Sequence, residues 1–252
     1  TIQNADLLIC LGTRLNYQLT GAKPETFAPF AKKIVVDIDS TEFTKNKGPK
    51  IDLKINCCVK DFLTTISSKN IHRNSKILQP WINWIEKTKK KYPLCKKEYY
   101  LEKKFVNPYV FFNELSDATN TKDVIIPDAS ANLIWAYQAF KPKKGQQIFT
   151  SLNHSPMGYS VAASVGAQYA EPNKRIIAII GDGSFQMNVQ ELETISYNKL
   201  PIKIFIINNK GYGLIKGTQE LFLEKNYVGV DSSSGLGLPD FKKIAYSYNI
   251  NY

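Results

Sequence analysis

No stretch of the sequence approaches the roughly 18 to 20 uninterrupted apolar residues that a membrane-spanning helix needs. Even the segment from Lys174 to Asn209 is broken by Gly181, Asp182 and Lys199. The N-terminus has no basic lead and runs through Asp6 into a strand-like segment, so it does not read as a secretory signal; the chain is expected to start inside a folded domain. Cysteine is sparse. Cys10, Cys57, Cys58 and Cys95 show no CxxC spacing, and the adjacent pair suits neither an ordinary disulfide nor a tetrahedral metal site, which points to a reduced, cytoplasmic protein. Repeats of solenoid period and low-complexity tracts are absent.

What is present in excess is positive charge: 33 lysines and arginines against 22 acidic residues, a net +11. Such a surplus is the usual footprint of nucleic-acid binding. Here the lysines are scattered (Lys45, Lys47, Lys50, Lys54), and the one denser run, from Lys87 to Lys104, includes Glu98 and Glu102. A solvated basic surface accounts for that pattern, so neither nucleic acid nor membrane is expected as a partner. The length of 252 residues suits one large domain or two ordinary ones.

Apolar runs at Asp6 to Thr13 and Lys33 to Asp39 predict buried parallel strands. A third piece spans Ile51 to Ile55, and the spacing from Val59 to Ile66 is helical. The polar stretch from Ser67 to Ser75 lacks periodicity and marks a boundary. An amphipathic basic helix is predicted from Trp81 to Lys91, and another from Pro108, which suits a first helical turn, to about Asp117. Beyond it the signals alternate: strand Asp123 to Pro127, helix Asn132 to Ala139, strand Gln147 to Thr150, helix Tyr159 to Tyr169, strand Arg175 to Ile180, helix Val189 to Tyr197, strand Ile202 to Asn208. This alternation predicts an α/β fold with doubly wound parallel sheets. The expected organisation is a domain over 1–75, a linker with the basic helix over 76–106 and a second domain over 107–252.

The chemistry is concentrated between residues 176 and 212. Ile176 to Ile180 leads into Gly181-Asp182-Gly183-Ser184, and the next strand ends in Asn208-Asn209-Lys210-Gly211-Tyr212. Asp182 and Asn209 therefore stand at the C-terminal ends of two strands, the edge where open α/β sheets bind ligands. Gly181 and Gly183 allow a sharp turn and close approach to an anion, and Ser184 is expected to open a loop whose N–H groups hold phosphate oxygen. Magnesium favours a carboxylate, neutral oxygens and the oxygens of a diphosphate. Asp182, the Asn209 side-chain oxygen and the Gly211 carbonyl supply that set.

The whole motif, with Asn209 27 positions after Asp182, resembles the signature of the thiamine diphosphate enzymes. Asn153 to Ala167 is similar to the segment preceding the metal motif in acetolactate synthases, where Met157 matches a residue that wedges thiamine into its bent shape. Leu214 falls where the family places a further apolar contact. The loop Asp128 to Trp135 matches the family's diphosphate-contacting loop, which implies roles for Ser130 and Asn132, with an ordinary helix N-cap as the rival reading. His154, on the loop before Met157, is a possible substrate contact; His72, in the polar linker, carries no chemistry. The N-terminal segment, Ala5 to Gly21 and Phe27 to Asp39, resembles the Rossmann-like middle domain of acetolactate synthases. There FAD can bind beside an arginine matching Arg14, but Asn16-Tyr17 replaces the acidic pair that follows it, which argues against flavin here.

The resemblance implies a carboligase that decarboxylates a 2-keto acid and couples the product to a second carbonyl, working as a homodimer or tetramer. Asn208 to Gln219 lacks the Glu-Gln-Gly run of acetolactate synthases and looks more like decarboxylases. A 2-keto acid decarboxylase, a flavin-dependent oxidase and, from another class, a catalytically dead structural or regulatory homologue therefore stay open. The family's activating glutamate belongs to a pyrimidine-binding domain that this sequence does not contain, so no catalytic side chain is expected within it. The chain reads as a partial one with an incomplete C-terminal domain.

Overall fold

The computed structural model describes residues 2–45, 48–69, 75–152 and 154–252. His72 and Asn153, both singled out in the sequence, lie outside the described residues. The backbone divides into two compact units, Thr1–Tyr92 and Pro93–Tyr252.

In the first unit three parallel strands, β1 (Leu7–Leu11), β2 (Lys32–Asp37) and β3 (Leu53–Asn56), form a sheet in sequence order. The short helix α1 (Tyr17–Thr20) lies between the first two strands in sequence, and α2 (Val59–Ser67) follows the third. Cys10, Leu15 and Val35 form the buried centre. Gly12, at φ +59°, turns the chain out of β1 in a conformation glycine reaches without steric cost. The helix α3 (Ser75–Lys91) starts earlier than the Trp81 suggested by apolar spacing. Pro80 sits near its N-terminal end, where a missing N–H removes a single ladder bond, and the stacked rings of Trp81 and Trp84, 4.9 Å apart, follow it.

The second unit contains α4 (Pro108–Ala118), β4 (Asp123–Pro127), α5 (Ala131–Ala139), β5 (Gln147–Ile148), α6 (Tyr159–Ala170), β6 (Arg175–Gly181), α7 (Asp182–Phe185), α8 (Glu191–Tyr197), β7 (Lys203–Ile207), α9 (Gly213–Phe222) and α10 (Phe241–Ser247). Its four strands are parallel in the order β5-β4-β6-β7. Period-two geometry explains why β4 and β6 are apolar on both sides. Ile125, Ile177 and Ile179 pack with Phe112 and Leu115 of α4 and with Ala136 and Ala139 of α5. Val124, Ile126 and Ile176 face Tyr159, Ala163 and Ala167 of α6. Each large aliphatic chain buried in this way contributes about 1.5–3 kcal/mol relative to exposure. At the N-terminal ends of β4 and β6 the Arg175 guanidinium grips the buried Asp123 carboxylate through two bonds of 2.8 and 2.7 Å. Burial works to raise the Asp123 pKa, and the hydrogen bonds from Arg175 and the Asn120 N–H together with the nearby positive charge of Arg175 and Lys143 outweigh it and hold it below the usual carboxylate range.

Two expectations are corrected. β5 pairs only Gln147 and Ile148, not four residues, because the flanking chain leaves the sheet. Helical turns after β6 begin at Asp182 rather than Val189: α7 runs into a 3₁₀ turn over Gln186–Asn188 before α8. The helices α9 and α10 lie beyond the last predicted strand, where no element was predicted.

Candidate functional site

The strand order places a topological switch between β4 and β6. The chain leaves β4 for β5 on one side and returns past β4 to β6 on the other, and the divergence opens a crevice at the C-terminal ends of β4 and β6. The loop after β4 and the turn after β6 meet there. The Asp128 N–H donates to the Ile179 carbonyl at 2.8 Å, which ties the two strand ends together.

Asp182, the first residue after β6, is buried at 1 % exposure. One carboxylate oxygen accepts from the Gly183 N–H at 2.7 Å and the other from the Gly211 N–H at 3.2 Å. Among the described residues no lysine, arginine or histidine forms an ion pair with it. A buried carboxylate held only by neutral donors is costly unless a cation completes it, and the oxygen chemistry suits a hard divalent ion. No group of three acidic, histidine or cysteine side chains able to hold a metal occurs among the described residues. A cation at Asp182 would thus depend on amide, carbonyl and ligand oxygens, the pattern magnesium takes with a diphosphate.

The other predicted residues gather around it in part. Asn209 follows β7 by two positions, and its amide lies over the start of α9, where a Cβ on Gly213 would stand 3.1 Å from Asn209 Nδ2. Gly211 is bridged to Asp231, and a Cβ there would meet the Val230 carbonyl oxygen at 2.2 Å. Gly183 is covered by the Tyr212 ring, 2.2 Å from where a Cβ would lie. Both glycines are required by space, not by dihedral angle. Asn132 is buried in the first turn of α5, with Nδ2 3.2 Å from a Cβ built on Gly181, so it joins the crevice from the β4 side. Ser130 occupies the N-cap position of α5 at φ +69° and ψ −142° but makes no side-chain capping bond. The simple N-cap reading therefore fails, and the strained backbone at this position is of the kind that clusters at functional sites. Ser184 is buried inside the short helix α7, not on an open loop as expected. Met157 and Leu214 stay partly open to solvent, at 37 % and 48 % exposure, and His154 is exposed.

Three residues to which the sequence assigned no role complete the framework. Asp128, fully buried, accepts from the Gly158 and Ser160 N–H groups at the start of α6. Asn188 donates to the Gly158 carbonyl at 3.1 Å, and Tyr212 covers Gly183. An acidic residue directly after the apolar run from Val124 to Pro127 was the one signal available, at Asp128. Behind Gly211, Asp231 is held well below the usual carboxylate range by the Lys216 ammonium at 2.8 Å and by the Ser233 and Ser234 side chains.

In the first unit, Arg14 lies 3.6 Å from Glu42, which also pairs with Lys45, beside a cavity of about 120 Å³. The arginine that resemblance links to flavin is thus already met by an internal carboxylate. Asn16 caps α1 by accepting from the Leu19 N–H at 3.3 Å. All four cysteines are free thiols.

Comparison with known families decides the assignment. Residues 128–252 match the thiamine pyrophosphate enzyme C-terminal TPP binding domain, and residues 1–66 match the thiamine pyrophosphate enzyme central domain. The chain belongs to the thiamine pyrophosphate enzymes. Among relatives of this thiamine pyrophosphate (thiamine diphosphate) enzyme, the acetolactate synthase large subunit of Cyanidium caldarium is 38 % identical over 253 residues, 99 % of this chain and 42 % of its own length. The acetolactate synthase large subunit of Porphyra purpurea is 36 % identical, with 99 % and 41 % covered. Acetolactate synthase 1, chloroplastic, of Oryza sativa subsp. japonica is 31 % identical, with 99 % and 39 % covered. The chain thus spans about two fifths of the length of these relatives. No helix among the described residues is long and apolar enough to cross a membrane.

Proposed function

We propose that this chain supplies the diphosphate- and magnesium-binding half of a thiamine diphosphate-dependent 2-keto acid carboligase of the acetolactate synthase type. The observation that carries the reading is Asp182: a buried carboxylate without a cationic partner among the described residues, at the sheet's switch point, bonded to the N–H of Gly211 and followed at the proper spacing by Asn209. In this reading Asp182, the Asn209 side-chain oxygen and the Gly211 carbonyl hold magnesium. Gly183, Ser184, Ser130 and Asn132 approach the diphosphate, and Met157 and Leu214 supply apolar contacts to the rest of the cofactor. When bound, thiamine diphosphate contributes the carbon nucleophile and electron sink for decarboxylation, while the protein orients it. Asp182, buried at the end of β6, would offer its carboxylate to the metal from the floor of the crevice. The acetolactate synthase names of the relatives support carboligation over simple decarboxylation.

The working state proposed is a homodimer or tetramer acting on small 2-keto acids, with 1–75 as middle domain, 76–106 as linker and 107–252 as cofactor domain. A cytoplasmic setting is supported by the free thiols; the rice relative is named as chloroplastic.

The test is calorimetric titration of thiamine diphosphate, with and without magnesium, into the full-length protein and its Asp182→Ala variant. Magnesium-dependent binding by the parent and its loss in the variant are expected. Absence of binding by the parent would favour the dead homologue, and normal binding by the variant would refute the metal placement.

A further inference from the structure

The segment from Ser155 to Gly158 is held in an unusual shape. Ser155 has φ +45° and Gly158 φ +90°, so Pro156 and Met157 lie between two left-handed residues, the first of them not a glycine. Such backbone persists only where its surroundings over-determine it. Two side chains from distant parts of the chain do so. From the end of β4, the Asp128 carboxylate accepts from the Gly158 N–H at 3.3 Å and the Ser160 N–H at 2.9 Å. From the turn after α7, Asn188 Nδ2 donates to the Gly158 carbonyl at 3.1 Å. The fit leaves no slack: a Cβ on Gly158 would stand 2.8 Å from Asn188 Nδ2 and 3.0 Å from Met187 Cβ.

Asp128 is fully buried, and its bonds are to backbone N–H groups, with no cation pairing it among the described residues. It differs in this from Asp123 at the other end of the same strand, whose charge is met by Arg175. Burying an unpaired carboxylate costs stability. The N-terminal end of α6 offsets part of that cost through its free N–H groups and dipole. The result is a rigid clamp that joins three pieces of chain: the loop carrying Ser130 and Asn132, the loop carrying Met157, and the segment that begins with Asp182.

We infer that Asp128 and Asn188 are positioning residues that fix the Met157 loop relative to the metal motif, and so set the conformation of bound cofactor without touching it. This inference rests on the proposed cofactor site. Asp128→Asn keeps the shape but turns one acceptor into a donor facing the Gly158 N–H. Asn188→Ala removes the clamp from the other side at a half-buried position.

The experiment uses the full-length protein with thiamine diphosphate and magnesium as probes, calorimetry for affinity and near-ultraviolet circular dichroism for the geometry of the bound cofactor. Both variants are expected to bind within about threefold of the parent, the span of less than one factor of ten in the equilibrium constant, while losing most of the cofactor dichroism band. Asn188→Asp, which keeps no donor for the Gly158 carbonyl, should behave as Asn188→Ala. Asp123→Asn, which weakens the same strand at its opposite end, should lower thermal stability and leave the band intact. Loss of the band in Asp123→Asn, or an unchanged band in both clamp variants, overturns the inference. A parent that binds no thiamine diphosphate overturns it together with the site, whereas a binding parent with unaffected clamp variants overturns the clamp alone. If Asp128→Asn fails to fold, Asn188→Ala decides.

Discussion

At the scale of single residues, the site is built by close approach more than by chemistry. Gly183 lies under the Tyr212 ring so tightly that a single methyl group would overlap it. Gly183→Ala is therefore expected to lose about 1–3 kcal/mol in urea unfolding, the usual cost of overpacking. Adding Tyr212→Ala to that variant should recover most of the loss, and purely additive effects would show that the contact is not the cause. The same density explains which residues were legible. Asp182 and Asn209 are visible because their spacing along the chain and their flanking strands are both sequence properties. The roles of Asp128, Asn188 and Tyr212 are not, because each acts on a partner some thirty positions away: Asp128 on Gly158, Asn188 on Gly158, Tyr212 on Gly183. Ser130 was legible as a candidate but not its strain, since a serine before a helix reads as a cap.

At the scale of elements, β4 and β6 were read correctly to within a residue because both are apolar on both faces. The helices α9 and α10 were not read at all, although Leu214, Ile215, Leu221 and Phe222 share one face of α9; in the structure that face stays exposed. The piece that supports Gly211 is short: the bridge to Asp231 and the Tyr212 N–H bond to the Val230 carbonyl at 2.9 Å. Asp231 anchors it through Lys216 and the capping box with Ser234. Because Asp231 is held below the ordinary aspartate range in the folded chain, its contribution is complete above about pH 4, the unfolded value, and is lost as pH falls below that. Hydrogen-exchange protection of the Tyr212 amide is expected to fall in that acid range, and to become independent of pH there in Asp231→Asn. An unaltered acid response in the variant would assign the effect to another group.

For the molecule as a whole, the fold class followed from alternation of strand and helix signals, whereas strand order did not, because β5 and β6 swap sides of β4 through contacts that no local pattern encodes. That order creates the crevice, so a ligand there is recognised only by a completed sheet. Thiamine diphosphate with magnesium at a hundred times its dissociation constant should raise the unfolding free energy by about 2.7 kcal/mol, the mass-action value for a ligand that ignores the unfolded chain. Asp182→Ala should show no such rise in thermal or urea unfolding. The sheet also ends itself on one side. The outer strand β5 pairs over two residues only and is preceded by Lys141, Lys143 and Lys144. A border so short and so charged is a poor template for a strand from another molecule, so on that flank the unit resists being drawn into edge-to-edge aggregates while it folds.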